Sequence, residues 1–134
     1  MRAQWIATIG IAGMASLFTG ASRTATLVSR PGFRISGTVE AIAVSEDTLK
    51  VSVDVRGAPA RSEIPWAVHE GTCGNVGPVH GDRSAYPPLV TDFTGETWEY
   101  AVLSLPLLEG KPYVVVVNRP GAPTQMAACG ELKE

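Results

Sequence analysis

Between residues 49 and 56 the chain alternates strictly. Leu49, Val51, Val53 and Val55 are apolar, and Lys50, Ser52, Asp54 and Arg56 are polar. A period of two sends the two sets to opposite faces of an extended backbone, so this segment predicts a half-buried β-strand. A β-rich segment precedes it over 33–44, with a turn around Asp47 between them. Gly57-Ala58-Pro59 ends the alternating strand, and a third strand is expected over 62–69. Another follows over 97–105, with Trp98, Tyr100 and Val102 on one parity and Pro106 as its stop. Tyr113 leads four consecutive valines, the pattern of a strand buried on both faces. A turn region over 118–123 leads to a last strand over 125–132. Short strands joined by turn signals, without helical periodicity after the N-terminal segment, predict an all-β sandwich or barrel.

Two segments break the pattern. Residues 22–33 carry Ser, Thr and Arg and close on Pro31-Gly32, and read as a flexible lead-in to a domain spanning 34–134. Residues 70–94 hold Gly71, Gly74, Gly77, Gly81, Pro78, Pro87 and Pro88 and predict a long irregular loop. Loops of that length in small domains are often functional. Glu70, Arg83, Tyr86 and Asp92 are its candidate surface residues, for binding or for simple solvation of the loop.

The N-terminus adds a compartment. Met1-Arg2 is basic, 5–18 is mostly apolar, and Thr19-Gly20-Ala21-Ser22 is small. That order is the order of a secretory signal, with cleavage expected near Ala21 or as late as Ala25. The apolar run falls short of the ~20 residues of a membrane-spanning helix, so no stable span is expected after cleavage. An uncleaved anchor is the alternative. The destination would be the periplasm or the exterior. Formal net charge is -2, charged residues are 18%, and the cations are dispersed. Without a basic patch there is no footprint for nucleic acid or for an anionic membrane. In an oxidising compartment Cys73 and Cys129 are expected to bond. Closing a loop of roughly 55 residues contributes on the order of 3–4 kcal/mol.

Trp66-Ala67-Val68-His69-Glu70-Gly71, then Cys73-Gly74-Asn75-Val76-Gly77-Pro78, and finally Ala128-Cys129-Gly130 resemble the metal-site and closing motifs of copper/zinc superoxide dismutases. The valine-rich strand ending at Asn118 is similar to the strand that ends in a copper-ligand His in that family. The resemblance implies a Greek-key β-sandwich or flattened barrel, with the two cysteines tethering the metal-site loop and a homodimer possible. The chain departs from the family at Ala67, where the first His of His-x-His would stand, and at Val79, where the bridging His would stand, His80 falling one residue late. It departs again at Asn118, and at Met126 in place of an Arg.

Those departures shape the expected chemistry. A copper centre of three or four imidazoles cannot be assembled from the chain's two His. Copper or zinc remains conceivable at His69 and His80 with a carboxylate such as Asp82, or Asp92 in its place. His69 otherwise reads as a half-buried ring hydrogen-bonded to loop backbone, and His80 as a solvent-exposed loop residue. No Gly-x-Ser-x-Gly or His-Glu-x-x-His motif accompanies them, and no catalytic residue is assigned. The expectation is an exported, non-enzymatic dismutase-like domain with a binding or structural role, without a resident cofactor. The alternatives are a weak copper/zinc binder and a vestigial dismutase, including one completed at an oligomer interface.

Overall fold

In the computed structural model, which describes residues 21–134, the alternating segment forms strand β3 (Thr48–Arg56). Its Leu49, Val51, Val53 and Val55 are buried, as period-two patterning requires. The other strands are β1 (Ser22–Ser29), β2 (Ser36–Ser45), β4 (Glu63–Ile64), β5 (Trp66–Thr72), β6 (Asn75–Val79), β7 (Leu89–Val90), β8 (Thr97–Leu103), β9 (Tyr113–Arg119) and β10 (Ala122–Glu131). A single 3-10 turn occupies Arg83–Ala85. Eight strands make one antiparallel sheet in the order β6-β5-β9-β10-β1-β2-β3-β8, and β4 with β7 forms a two-residue ladder. The chain is thus all-β, a curled antiparallel sheet forming a half-barrel, consistent with a β-sandwich or flattened barrel.

The sheet has two halves, β1-β2-β3-β8 and β6-β5-β9-β10, joined where β1 pairs with β10 at Val28–Cys129 and Ser29–Ala128. Gly130 sits beside this seam. A Cβ there would lie 2.6 Å from the Thr26 carbonyl oxygen, so the two strands can approach this closely only at glycine. One core fills the space between the halves. It takes Leu27, Val39, Val51 and Val53 from one side and Trp66, Val68, Tyr113, Val115 and Val117 from the other. The expectation that 113–117 is buried on both faces holds, because β9 lies between β5 and β10 and its outer valines are covered as well.

Two expectations require correction. Residues 22–33 are not a flexible lead-in throughout, since Ser22–Ser29 is β1, a strand interior to the sheet, paired with both β2 and β10. Its inward positions are Arg23, Ala25 and Leu27. Two of those three residues are weakly apolar or charged, so the alternation does not register as hydrophobic. Arg23 donates to the carbonyls of Lys111 and Leu108, both at 2.9 Å. Its guanidinium also lies 5.2 Å from the Tyr113 ring centroid. It therefore closes one end of the barrel and fixes the β8–β9 crossover. Residues 70–94 are likewise not one irregular loop. β5 and β6 form a hairpin with a register shift between His69 and Gly71, and Gly71 sits at φ +108°, a conformation that disfavours other residues.

The expected export signal, residues 1–21, lies outside the described residues except for Ala21. Among the described residues no helix is long and apolar enough to cross a membrane.

β1 ties the point at which the chain starts to its stability. A form beginning at Ser22 keeps Arg23, whereas one beginning at Thr26 loses it with half of β1. The shorter form is expected to melt at lower temperature. Arg23→Ala in the longer form is expected to cost about 2 kcal/mol in denaturant unfolding, from the loss of two charge-assisted bonds. Equal stability of all three would contradict the role given to Arg23.

Candidate functional site

Along β9 the odd positions Tyr113, Val115 and Val117 face the core, so Val114, Val116 and Asn118 face outward. On β5 the same outer face carries Ala67 and His69, since Ala67 is opposite Val116 and His69 opposite Val114. On β10 it carries Cys129, opposite Val116. The tip of the β5–β6 hairpin folds over this face. There Cys73 bonds Cys129 with Cα atoms 5.9 Å apart, and Val76 and Met126 complete a small second apolar cluster around Val114 and Val116. Both backbone groups of Cys73 are held by side chains. Its N–H donates to a Glu131 carboxylate oxygen at 3.3 Å, and its carbonyl accepts from Arg30 Nη2 at 2.9 Å. Arg30 Nε also lies 3.1 Å from the Met126 sulfur.

His69 is buried. Its Nδ1 lies 2.9 Å from the Gly77 carbonyl oxygen, which only accepts, so Nδ1 carries the proton and Nε2 is left as an acceptor. Nε2 is buried with no hydrogen-bond partner among the described residues, as is Asn118 Oδ1. The two share a face but not a site. Asn118 is four residues along β9 from Val114, the residue opposite His69. At the usual strand rise that is about 13 Å.

His80 is elsewhere. Its backbone N–H donates to the Val68 carbonyl, and its ring packs edge-on against core-facing Tyr113 with centroids 5.1 Å apart. His80 is therefore buried inside the barrel, not solvent-exposed as expected. Its Nε2 lies 3.1 Å from the Leu105 carbonyl oxygen. His69 and His80 thus sit on opposite faces of one sheet, and the structure does not bring them together.

The remaining candidates have structural occupations. Asp82 Oδ1 accepts from the backbone N–H and the hydroxyl of Ser84, capping the 3-10 turn. These bonds lower its pKa from the ordinary aspartate value. Asp92 Oδ1 accepts from the Thr94 hydroxyl, the Thr94 N–H and the Glu96 N–H, and its pKa is lowered by those bonds. Tyr86, expected on the loop surface, is buried. Its hydroxyl donates to the His80 carbonyl at 2.6 Å, its ring meets Trp66 edge-on at 5.2 Å, and burial pushes its phenol up to about 12. Glu70 points to the face opposite His69 and pairs with Lys111 at 2.9 Å, so it is no acid/base partner for that ring. The bond to Glu70 raises the Lys111 pKa. Arg83 is exposed on the turn.

Among the described residues no three His, Cys, Asp or Glu side chains are grouped as a metal site would require. His69, His80 and Asp82, the ligands expected from the sequence, do not converge as the bonds of about 2 Å in a copper or zinc centre require. Sequence reasoning missed Arg30 and Glu131, the side chains that hold Cys73. Neither lies in a motif, and only the paired strands bring them to it. No protein-family model matches the chain, and no curated protein does.

The carboxylates make the loop acid-sensitive. A depressed aspartate contributes stability that is present above the unfolded value, 3.8, and is lost as pH falls through the lower folded value. Thermal unfolding is expected to be nearly flat above pH 5 from this source and to weaken below pH 4. Asp92→Ala should lower the melting temperature at pH 7 and shrink the loss seen on acidification. An unchanged acid limb in that variant would contradict the assignment.

Proposed function

We propose that the chain is an exported, non-enzymatic dismutase-like domain, periplasmic or secreted, with a binding or structural role and without the family's metal centre. The observation that carries this reading is the disposition of the only two His of the chain. One lies on the outer face of β5 and the other inside the barrel, and each has one ring nitrogen at hydrogen-bonding distance from a backbone carbonyl. The copper centre that the resemblance implies would take several imidazoles converging on one ion, and these two do not converge. The spacing of Cys73, Gly77-Pro78, the valine strand and Ala128-Cys129-Gly130 supports the dismutase-like descent. The disulfide supports an oxidising destination.

A second reading is favoured by one observation. The buried, unpartnered Nε2 of His69 is a free acceptor, and imidazole nitrogens bind copper and zinc. A weak metal binder using His69 and His80 would need the β5–β6 hairpin to open, since that atom is buried and the two rings lie on opposite faces. Calorimetric titration with copper(II) and zinc(II), alongside a superoxide-removal assay, separates the readings. The first predicts no stoichiometric metal and no catalytic activity. Micromolar binding that His69→Ala weakens at least about tenfold would favour the second. Stoichiometric copper with catalytic turnover would overturn both.

A further inference from the structure

The Cys73–Cys129 bond is not sealed inside the fold. Both cysteines line an open cleft of about 520 Å³ over the seam of β1 and β10, with Thr26, Val28 and Arg30 on its β1 side and Glu131 on its β10 side. Cys73 is the more open of the two, half-buried where Cys129 is 3% exposed. A small thiol therefore has a route to the bond. Reduction by a dithiol would bring two electrons and two protons, leaving two thiols here and a disulfide in the reductant.

Two features keep sulfur ligands together once that bond is gone. Glu131 accepts from the Cys73 N–H and Arg30 donates to the Cys73 carbonyl, and neither contact depends on the bond between the sulfurs. The second feature is a third sulfur. Met126 and Cys129 are opposite Asn118 and Val116, successive outward positions of β9. At the usual strand rise those positions are about 7 Å apart. Met126, like Cys73, packs against the apolar cluster that contains Cys129. The guanidinium that binds the Cys73 carbonyl also reaches the Met126 sulfur, its Nε at 3.1 Å.

Two thiolates and a thioether make a soft donor set, which suits copper(I) and its redox-inert counterpart silver(I). The thioether sets it apart from a zinc site, whose ligands are thiolate, imidazole and carboxylate. Two thiolates on a monovalent ion carry one net negative charge, and Arg30 beside them supplies the opposite charge.

We propose that reduction of the Cys73–Cys129 bond turns this corner of the fold into a binding site for a soft monovalent metal ion, with Cys73 and Cys129 as thiolate ligands and Met126 as the thioether. Binding releases the two thiol protons, and the ion takes over the lost tie between the β5–β6 hairpin and β10. The site uses no imidazole, so it is separate from any binding at His69.

The test is anaerobic titration of the purified protein with copper(I) buffered by bicinchoninate, before and after reduction by a phosphine that is then removed. The reduced protein should take one equivalent and the oxidised protein none. Met126→Leu, close to the original in volume, should keep the melting temperature and weaken binding at least about tenfold. Copper(I) should also restore amide protection at 72–79 in the reduced protein. No binding after reduction, equal binding by the oxidised protein, or unchanged affinity in Met126→Leu would overturn the proposal. So would an ion shared between two chains in native mass spectrometry, binding that His69→Ala abolishes, or loss of near-ultraviolet circular dichroism on reduction, since an unfolded chain holds no such site.

Discussion

One covalent bond lets the β9 region of this sheet protect both of its faces. A curled single sheet buries its concave side easily, but the convex side of β9 carries Val114 and Val116. The hairpin of β5 and β6 is bent back over those valines, and the Cys73–Cys129 bond holds it there. Glu131 and Arg30 then fix the backbone of Cys73 from two directions. A domain of this size buries a modest fraction of its surface and benefits from such a tie. Because the bond joins segments far apart in sequence, it also removes much of the freedom of the unfolded chain.

The same arrangement accounts for the chain's unusual polar residues. His69 is sealed beside the hairpin and bonded to Gly77, a residue of β6. His80, Tyr86 and Trp66 plug the open side of the half-barrel, linked by Tyr86 to the His80 carbonyl and by Trp66 Nε1 to the Pro87 carbonyl at 2.6 Å. Arg23 does comparable work at the other crossover. Residues that suggest chemistry in the sequence are here largely spent on holding connections in place. The aromatic side chains of β8 are the exception, since Trp98 and Tyr100 face solvent.

Fold class was legible because period-two alternation survives wherever the inward residues are aliphatic, as in β3. It failed at β1, where Arg23 and Ala25 take inward positions, and across 70–94, where glycine and proline conceal a hairpin with a register shift. The cysteine pairing was legible from compartment logic and count. Parity placed Trp98 and Tyr100 together but did not tell which side of the sheet they occupy. The exposure of His80 was misjudged because its neighbours Gly81 and Asp82 are polar loop residues, while pairing across β5 and β6 sets its ring inward against Tyr113.

The most direct test is the thiol state and stability of the purified protein, compared with and without reductant. Intact mass should show no alkylatable cysteine until reduction. Denaturant unfolding should then lose about 4 kcal/mol, the entropic scale for this loop, with amide exchange rising first at 72–79. Two free thiols in the native protein, or a reduced form as stable as the oxidised one, would contradict it.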